Sequence, residues 1–344
     1  MMNRKEIIAA GIKLQKTPRP PVMILSGGVW ANKRYNLSLE DSFHLSPELA
    51  AEHVIETNNL IQSDLIWAAA GCNNLVLRGI GVKTRFDQVG AAASITEPLI
   101  SQATDLEKLH VDDIENDRGI QAMLEMTRIL KAKIGKDYLI GISQWGAFTL
   151  AGLLLGTDRF MIMTIREKQA VEYILSFTEK LVVKYWSLFV EAGAELVSQA
   201  EPSASCNMIS PKQFESMVLP HIRNNNRNID AKVNYKMLHI CGDITKILPI
   251  LPQTESDVIS FDYPVSLTGA REILGNKMAF AGKLDPVGVL QSGSLEEIRQ
   301  LTKDYIEEAG NDGGYLVMPG CDLAPATPLE HVQAMTETAR NYLY

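Results

Sequence analysis

Eight short apolar runs, each long enough for one β-strand, alternate along the chain with longer segments of helical pattern. No repeat, low-complexity segment or linker rich in proline, glycine and serine interrupts this alternation over the 344 residues. Eight strands separated by helices favour a parallel sheet closed into a (β/α)8 TIM barrel. An open doubly wound sheet is the alternative, because the number of strands does not prove closure. The runs are Val22–Gly28, Asp64–Ala70, Tyr138–Gln144, Glu195–Glu201, Lys232–Cys241, Val258–Tyr263, Met278–Leu284 and Tyr315–Cys321.

The same pattern predicts one domain over residues 1–344. Segments at about 30–60 and 71–109 are longer than ordinary connections, and we expect them to be insertions that cap the barrel mouth. Ser210, Ser294 and Thr327 are each followed three residues later by Gln or Glu. This spacing predicts three helix starts with capping boxes.

Composition excludes several classes of function. The net charge of −8 and the pI near 5.4 argue against a surface that binds nucleic acid. The N-terminal segment lacks the apolar core of a signal peptide, and no run of about 18 apolar residues predicts a membrane span. The four cysteines, Cys72, Cys206, Cys241 and Cys321, are scattered. We therefore expect a cytoplasmic protein whose thiols serve chemistry and not a disulfide framework.

Polar and thiol side chains lie where the predicted strands end. In a closed barrel the carboxyl ends of all strands converge on one face, which is where active sites of this architecture lie. This convergence is a stronger signal than any single residue. The strand-end residues are Ser26, Gln144, Glu201, His239, Cys241, Asp262, Lys283 and Cys321.

His239 and Cys241 form a His-x-Cys pair whose side chains lie on the same side of an extended strand. Cys321, at the end of the last strand, supplies a third ligand, and one imidazole with two thiolates suits Zn²⁺. The fourth position of the metal is open or takes an oxygen from Glu201. A structural salt bridge or a helix cap is an equally good interpretation of Glu201. The simpler interpretation is a chance His-x-Cys spacing with cysteines that act as small apolar residues.

Four stretches, which contain Gln144, Asp262, Lys283 and Cys321, resemble the uroporphyrinogen decarboxylase superfamily. Tyr138–Leu150 (YLIGISQWGAFTL) resembles the family's IGFxGxPWTL strand. Val258–Tyr263 (VISFDY) and Ala279–Pro286 (AFAGKLDP) resemble its GLDW and QGNLDP segments. Residues 320–332 (GCDLAPATPLEHV) resemble its C-terminal GHGxxPxTPxENV segment. The resemblance covers most of the chain after residue 135 and implies a TIM barrel of the uroporphyrinogen decarboxylase-like type.

The departures from that family concern the residues that hold a tetrapyrrole. Leu25–Ala31 (LSGGVWA) stands where the decarboxylases have an arginine-rich RQAGRY segment for the propionates. Ala69–Cys72 (AAGC) stands where they have a pyrrole-binding Asp, Leu153 where they have a Tyr, and Cys321 where they have a His. A substrate with eight carboxylates needs many donors, so these replacements argue against porphyrinogen decarboxylation.

At these positions the chain resembles the corrinoid-dependent methyltransferases of the same superfamily, in which a His-x-Cys pair and a later Cys bind zinc. Pro202–Ser205 (PSAS) and Ile209–Glu215 (ISPKQFE) also resemble that branch. The resemblance implies a cobalamin that a partner corrinoid protein supplies over the C-terminal face of the barrel.

Within that branch, some enzymes move a methyl group from methylcobalamin to a thiol, and others move it from a methoxylated compound to a corrinoid protein. The tryptophans favour the second group, because aromatic walls suit a planar methoxyarene, although a single Trp is more often part of a core. A lyase or hydrolase that uses the barrel without zinc is a third possibility. The predicted substrate pocket contains Trp30, Trp67, Gln144, Trp145 and Asp262.

Overall fold

The computed structural model describes residues 2–24, 28–68, 71–310 and 312–344. Seven parallel strands form one sheet in the order β1-β4-β5-β6-β7-β8-β9, and β2 pairs with β3 in a separate antiparallel hairpin. Each strand of the main sheet therefore lies beside the next one in the chain, with helices between them. The strands are β1 Leu65–Trp67, β2 Thr84–Arg85, β3 Ser94–Ile95, β4 Leu139–Trp145, β5 Leu196–Ala200, β6 Tyr235–Ile240, β7 Val258–Phe261, β8 Ala279–Leu284 and β9 Tyr315–Pro319.

Helices connect the strands of the main sheet and cover its outer face. The α-helices are α1 Arg4–Ile12, α2 Val29–Arg34, α3 Leu39–His44, α4 Pro47–Ile61, α5 Leu75–Gly79, α6 Arg118–Ile134, α7 Ala147–Leu155, α8 Thr157–Arg166, α9 Lys168–Glu191, α10 Pro211–Gln213, α11 Leu219–Ile229, α12 Leu267–Leu274, α13 Leu295–Ala309 and α14 Leu329–Asn341. The 3-10 helices are Ala103–Lys108, Val111–Asn116, Pro202–Ala204 and Thr245–Thr254, and Phe214–Val218 is a turn of π-helix.

The segment around Val22 joins the two edge strands of the main sheet. The backbone N–H of Met23 donates to the carbonyl of Val317 on β9 at 2.9 Å, and the carbonyl of Val22 accepts from Asp64, which precedes β1, at 2.8 Å. This segment therefore occupies the eighth position of the ring, as the first apolar run predicts, and the TIM barrel is confirmed. Residues 25–27 of that run lie outside the described residues.

Side chains that point into the barrel form an apolar cluster of their own. It includes Leu65, Leu139 and Leu196 at the beginnings of three strands, together with Ile8 and Ile12 of α1. Helix α1 therefore closes the end of the barrel at which the strands begin. Side chains on the outer face of the strands belong to the larger core between the strands and the helices.

The two predicted insertions contain α2 to α4 in the first segment, and α5 with the β2–β3 hairpin in the second. The expectations that they cap the mouth and that the chain forms one domain stay predictions. Of the three capping boxes, the one at Ser210 is confirmed, and Ser294 caps α13 through its side chain. The prediction for Thr327 is wrong, because α14 begins one residue later with Pro328 as its N-cap.

No single helix among the described residues has the length and apolar composition of a membrane span. Helices α7 and α8 meet those criteria only when they are taken together, as a pair bent by 110°.

A buried ion pair stabilises the closure of the ring. The carboxylate of Asp64, which is fully buried, accepts two hydrogen bonds of 2.7 Å from the guanidinium of Arg19 and one of 2.9 Å from the backbone N–H of Val22. Arg340 of α14 approaches the same carboxylate at 3.4 Å. One side chain thus connects the first segment, β1 and the last helix.

We expect Asp64→Asn to lower the free energy of unfolding by about 3 kcal/mol or more, because it leaves the buried guanidinium of Arg19 without its counter-charge. Urea denaturation followed by circular dichroism measures this change. Asp312→Asn is the matched control, because Asp312 pairs with Lys16 on the exposed surface, and it should change the stability by less than about 1 kcal/mol. Equal effects of the two substitutions would contradict the role of Asp64 in closure.

Candidate metal centre

Three side chains converge at the carboxyl ends of the barrel strands. Nε2 of His239 lies 3.2 Å from Sγ of Cys241 and 3.7 Å from Sγ of Cys321, and the two sulfurs are 3.7 Å apart. Tetrahedral zinc with ordinary bond lengths places two sulfurs about 3.8 Å apart and a nitrogen and a sulfur about 3.6 Å apart. The three atoms therefore have the spacing of one face of a zinc tetrahedron, and within the described ranges this is the one group of His, Cys, Asp and Glu that could hold a metal.

The local structure explains why these three residues meet. His239 lies on β6, in register with Ala200 of β5 and Ser260 of β7, and Cys241 follows two residues later on the same side. Cys321 comes two residues after the end of β9. Because all strands are parallel and the ring is closed, the ends of β6 and β9 face each other across the mouth.

Ser260, which the sequence interpretation missed, orients the imidazole. Its Oγ lies 2.7 Å from Nδ1 of His239, so Nε2 is directed toward the two sulfurs. A hydrogen bond to the second ring nitrogen is the usual support of a metal-binding histidine. Ser260 lies two residues before Asp262 and therefore shares its face of the strand, which is the signal that could have identified it.

The hydrogen bond between the two thiols shifts their pKa values in opposite directions. The hydrogen bond from Cys321 lowers the pKa of Cys241, although burial acts in the opposite direction. The same hydrogen bond and burial raise the pKa of Cys321. Burial lowers the pKa of His239, but its hydrogen bond with Cys321 and nearby negative charge raise that pKa above the ordinary value overall. A bound Zn²⁺ would require both thiols to be deprotonated.

Asp262 lies beside the cluster. Its Oδ2 accepts from the backbone N–H of Gly242 at 3.1 Å, and its Oδ1 accepts from the backbone N–H of Tyr263 at 2.9 Å. A methyl group added to Gly320 would stand 2.7 Å from Oδ1 of Asp262. The carboxylate therefore lies between the turns that carry Cys241 and Cys321, and a side chain at position 320 would displace it.

Glu201, which the sequence suggested as an oxygen ligand, lies outside the cluster. Ala200 shares the face of His239, so Glu201 points to the opposite side, toward the helices. Its carboxylate accepts from the backbone N–H of Phe148 at 3.0 Å and from both the N–H and the hydroxyl of Thr149, at 2.8 and 2.7 Å. The structure thus favours the alternative role, a cap at the N-terminus of α7. Burial raises the pKa of Glu201 to about 7, against the effect of these hydrogen bonds.

Gln144 also points away from the barrel interior. It is in register with Gln199, whose amide bonds to Asn225 and Asn226 of α11 in the outer layer. Oε1 of Gln144 accepts from the backbone N–H of Trp145 at 2.6 Å. This orientation does not favour the predicted role of Gln144 in a substrate pocket, because the strand alternation turns it toward the helices.

The tryptophans occupy three different environments. Trp145 has the interior orientation, in register with Ala200, and its Nε1 donates to Asn74 at 2.7 Å. Trp67 is fully buried inside the barrel, where its ring packs over Gly141. Trp30 of α2 is buried and donates to the carbonyl of Thr327 at 2.8 Å, which fastens α2 to the segment before α14. Contact of any of them with a substrate stays a prediction.

Two other strand-end residues lie apart from the centre. The ammonium of Lys283 donates to the carbonyl of Val265 at 2.7 Å and lies over the ring of Tyr305 of α13 at 5.1 Å. It is therefore directed toward the outer helices. Ser26 lies outside the described residues.

Comparison with known proteins identifies relatives of this chain. The methylcobamide:CoM methyltransferase MtbA of Methanosarcina acetivorans is 30% identical over 78% of this chain and 76% of its own length. The methylcobamide:CoM methyltransferase MtaA of Methanosarcina barkeri strain Fusaro is 26% identical over 87% of this chain and 86% of its own length. A solved structure of a methyltransferase from Methanosarcina mazei superimposes with a TM-score of 0.88 at 24% identity, and 99% of each chain is covered.

The sequence model of the uroporphyrinogen decarboxylase (URO-D) family matches residues 3–342, which is nearly the whole chain. That extent, with the (β/α)8 barrel and the similarity to MtbA, confirms the resemblance on which the sequence interpretation depends. The chain belongs to the uroporphyrinogen decarboxylase (URO-D) family.

Proposed function

We propose that this methyltransferase of the URO-D family binds one zinc ion and moves a methyl group from a small donor, with a methoxylated aromatic favoured, to the cobalamin of a partner corrinoid protein. The observation that supports it most is the triangle of Nε2 of His239 and the sulfurs of Cys241 and Cys321 at the barrel mouth. The names of the relatives MtbA and MtaA refer to methylcobamide, which supports a corrinoid as the second substrate.

The donor set fits zinc and leaves one position for a substrate. One imidazole and two thiolates are three of the four ligands of a zinc tetrahedron, and catalytic zinc keeps its fourth position for water or substrate. When bound, zinc supplies Lewis acidity to the oxygen or sulfur from which the methyl group departs or to which it is delivered. The hydroxyl of Ser260 lies 2.7 Å from Nδ1 of His239 and orients the ring, so that Nε2 faces the metal position.

The bonds that form and break in this reaction determine what the protein must provide. The electron pair of cobalt(I) forms the bond to the methyl carbon, and the pair of the C–O bond leaves with the ether oxygen, which then takes a proton from water. The protein must hold the donor in line with the cobalt and exclude competing nucleophiles. Trp145, which faces the interior and is partly buried, and Asp262, beside the cluster, are the predicted pocket residues whose positions agree with that task.

A methylcorrinoid:thiol methyltransferase is the second candidate. The names of both relatives refer to methylcobamide and CoM, and CoM is a thiol. Zinc bound by the same three residues would then hold the acceptor thiol as a thiolate, and the methyl group would move in the opposite direction, from cobalt to sulfur.

We expect protein purified without chelators to contain one zinc ion per chain, and Cys241→Ser and Cys321→Ser to lose most of it, because each removes one of three ligands. Elemental analysis of the purified proteins measures the metal. Cys206→Ser is the control, because Cys206 is a partly buried free thiol outside the cluster. Absence of zinc in the unaltered protein, or equal loss in all three variants, would contradict the site.

We expect Glu201→Gln to retain zinc, because the carboxylate caps α7 and does not reach the cluster. Since burial raises the pKa of Glu201 to about 7 from 4.5, its ionisation destabilises the fold as the pH rises through that range. The free energy of unfolding of the unaltered protein should therefore fall, relative to that of Glu201→Gln, between pH 5 and pH 8. Denaturation at several pH values measures this difference, and loss of zinc in the variant would restore the ligand interpretation.

We expect cobalt(I) cobalamin to convert to methylcobalamin with a methoxylated aromatic compound only when the zinc-loaded protein is present. The absorption spectrum of the corrinoid follows this change, and Cys321→Ser is the control that keeps the barrel but lacks the metal. If no methyl ether reacts but methylcobalamin loses its methyl group to a thiol, the second candidate is correct. If neither reaction occurs with zinc in place, the proposed methyl transfer is wrong.

A further inference from the structure

A pocket lies at the end of the barrel where the strands begin, opposite to the metal centre. Its volume is about 430 Å³, which is within the range of pockets that bind small molecules. Three guanidinium side chains line it, those of Arg4 on α1, Arg19 and Arg340 on α14. Tyr138, which comes directly before β4, and Asp137 line it as well. Three arginines in one pocket are an arrangement that recognises anions.

Arg340 has unused hydrogen-bond donors. A guanidinium has five N–H groups, but among the described residues Arg340 makes one hydrogen bond, from Nη1 to Oδ1 of Asp64 at 3.4 Å. The same carboxylate already accepts two hydrogen bonds of 2.7 Å from Arg19. No nitrogen of Arg340 is both buried and without a partner in the described structure. The donors that Asp64 does not use are therefore accessible to a ligand.

Positive charge exceeds negative charge around Arg340. Asp64 is shared between Arg19 and Arg340, and Arg4 donates to two backbone carbonyls just before β1, which carry no charge. Burial lowers the pKa of Arg340, and repulsion from Arg4 and Arg19 lowers it further, against the attraction of Asp64. The carboxylate of Asp137 is exposed, so water and salt screen its charge. An anion in the pocket would relieve the repulsion among the three guanidinium groups.

The sequence has the same asymmetry of charge. Residues 1–22 contain five Lys and Arg residues and one Glu, whereas the whole chain has a net charge of −8. The proposed methyl transfer uses none of these basic residues, because this segment lies at the end of the barrel away from the metal centre. A local excess of positive charge on an acidic protein favours an anionic ligand at that place.

We propose that this pocket is a second site, separate from the metal centre, that binds the phosphate group of a small molecule. A phosphate has more acceptor oxygens than a carboxylate and a higher charge at neutral pH, so it accepts from Arg340 and from a second guanidinium together. Arg4 and the hydroxyl of Tyr138 are the nearest further donors in the wall of the pocket. Because Asp64 joins β1 to the segment that closes the ring, phosphate bound beside it stabilises the folded barrel.

The test is the titration of the full chain with inorganic phosphate, measured by isothermal titration calorimetry and by the shift of Tm. Sodium chloride keeps the ionic strength constant, and acetate is the comparison anion. We expect phosphate to bind with saturation and to raise Tm, and acetate to bind about tenfold more weakly or less. Because phosphate also binds metal ions, the titration is repeated with Cys321→Ser, which should have the same affinity for phosphate.

Arg340→Gln removes the guanidinium with the most unused donors and should weaken phosphate binding about tenfold or more. Asp137→Asn removes the exposed carboxylate from the wall of the pocket and should tighten phosphate binding, which a purely structural cluster of arginines would not show. Arg128→Gln is the matched control, because Arg128 pairs with Glu125 on the exposed surface of α6. It should leave the affinity for phosphate unchanged.

Absence of saturable phosphate binding to the unaltered protein would overturn the proposal. Equal affinities for phosphate and acetate would do the same, since they would show a general effect of anions. Loss of phosphate binding in Cys321→Ser would assign the phosphate to the metal centre. Unchanged affinity in both Arg340→Gln and Asp137→Asn would show that the phosphate binds outside this pocket. None of these outcomes depends on methyl transfer, so this site is tested separately from the proposed function.

Discussion

The alternation of side chains along parallel strands is the constraint on which the centre depends. Ala200, His239 and Ser260 are in register across β5, β6 and β7 and share the interior side of the barrel. This register brings the imidazole next to the hydroxyl that orients it, and it places Cys241 two residues further along the same side. A shift of one residue in β6 would turn both ligands toward the helices and leave no site.

The two ends of the barrel differ in the side chains that fill them and in how those side chains contribute to stability. At the end where the strands begin, Ile8 and Ile12 fill the interior, and the ion pair of Arg19 with Asp64 fastens the segment that closes the ring. At the opposite end the interior contains thiols, an imidazole and a carboxylate, which stabilise a fold poorly. Because stability comes mainly from the first end and from the outer core, the mouth is free to carry costly polar groups.

The sequence predicts the order of the elements and the cluster of His239, Cys241 and Cys321, because strand length, apolar runs and a His-x-Cys pair are local signals. It does not show which way Glu201 and Gln144 point, since that depends on whether a strand ends one residue earlier or later. Glu201 lies one residue past the interior position of Ala200, and this single step exchanges a metal ligand for a helix cap. Ser260 shows the reverse case, because its role appears only when β6 and β7 are placed in register.

The family scaffold accommodates this centre through few changes at strand ends. The resemblance places Cys321 where the decarboxylases have a histidine, and Leu25–Ala31 where they have arginines for an anionic substrate. An Asp at position 262 is common to the VISFDY segment and the family's GLDW pattern, so the carboxylate itself is not the novelty. The differences thus lie at positions 25–31 and 321, where the chain lacks the cationic donors for propionates and has a second thiol beside His239 and Cys241.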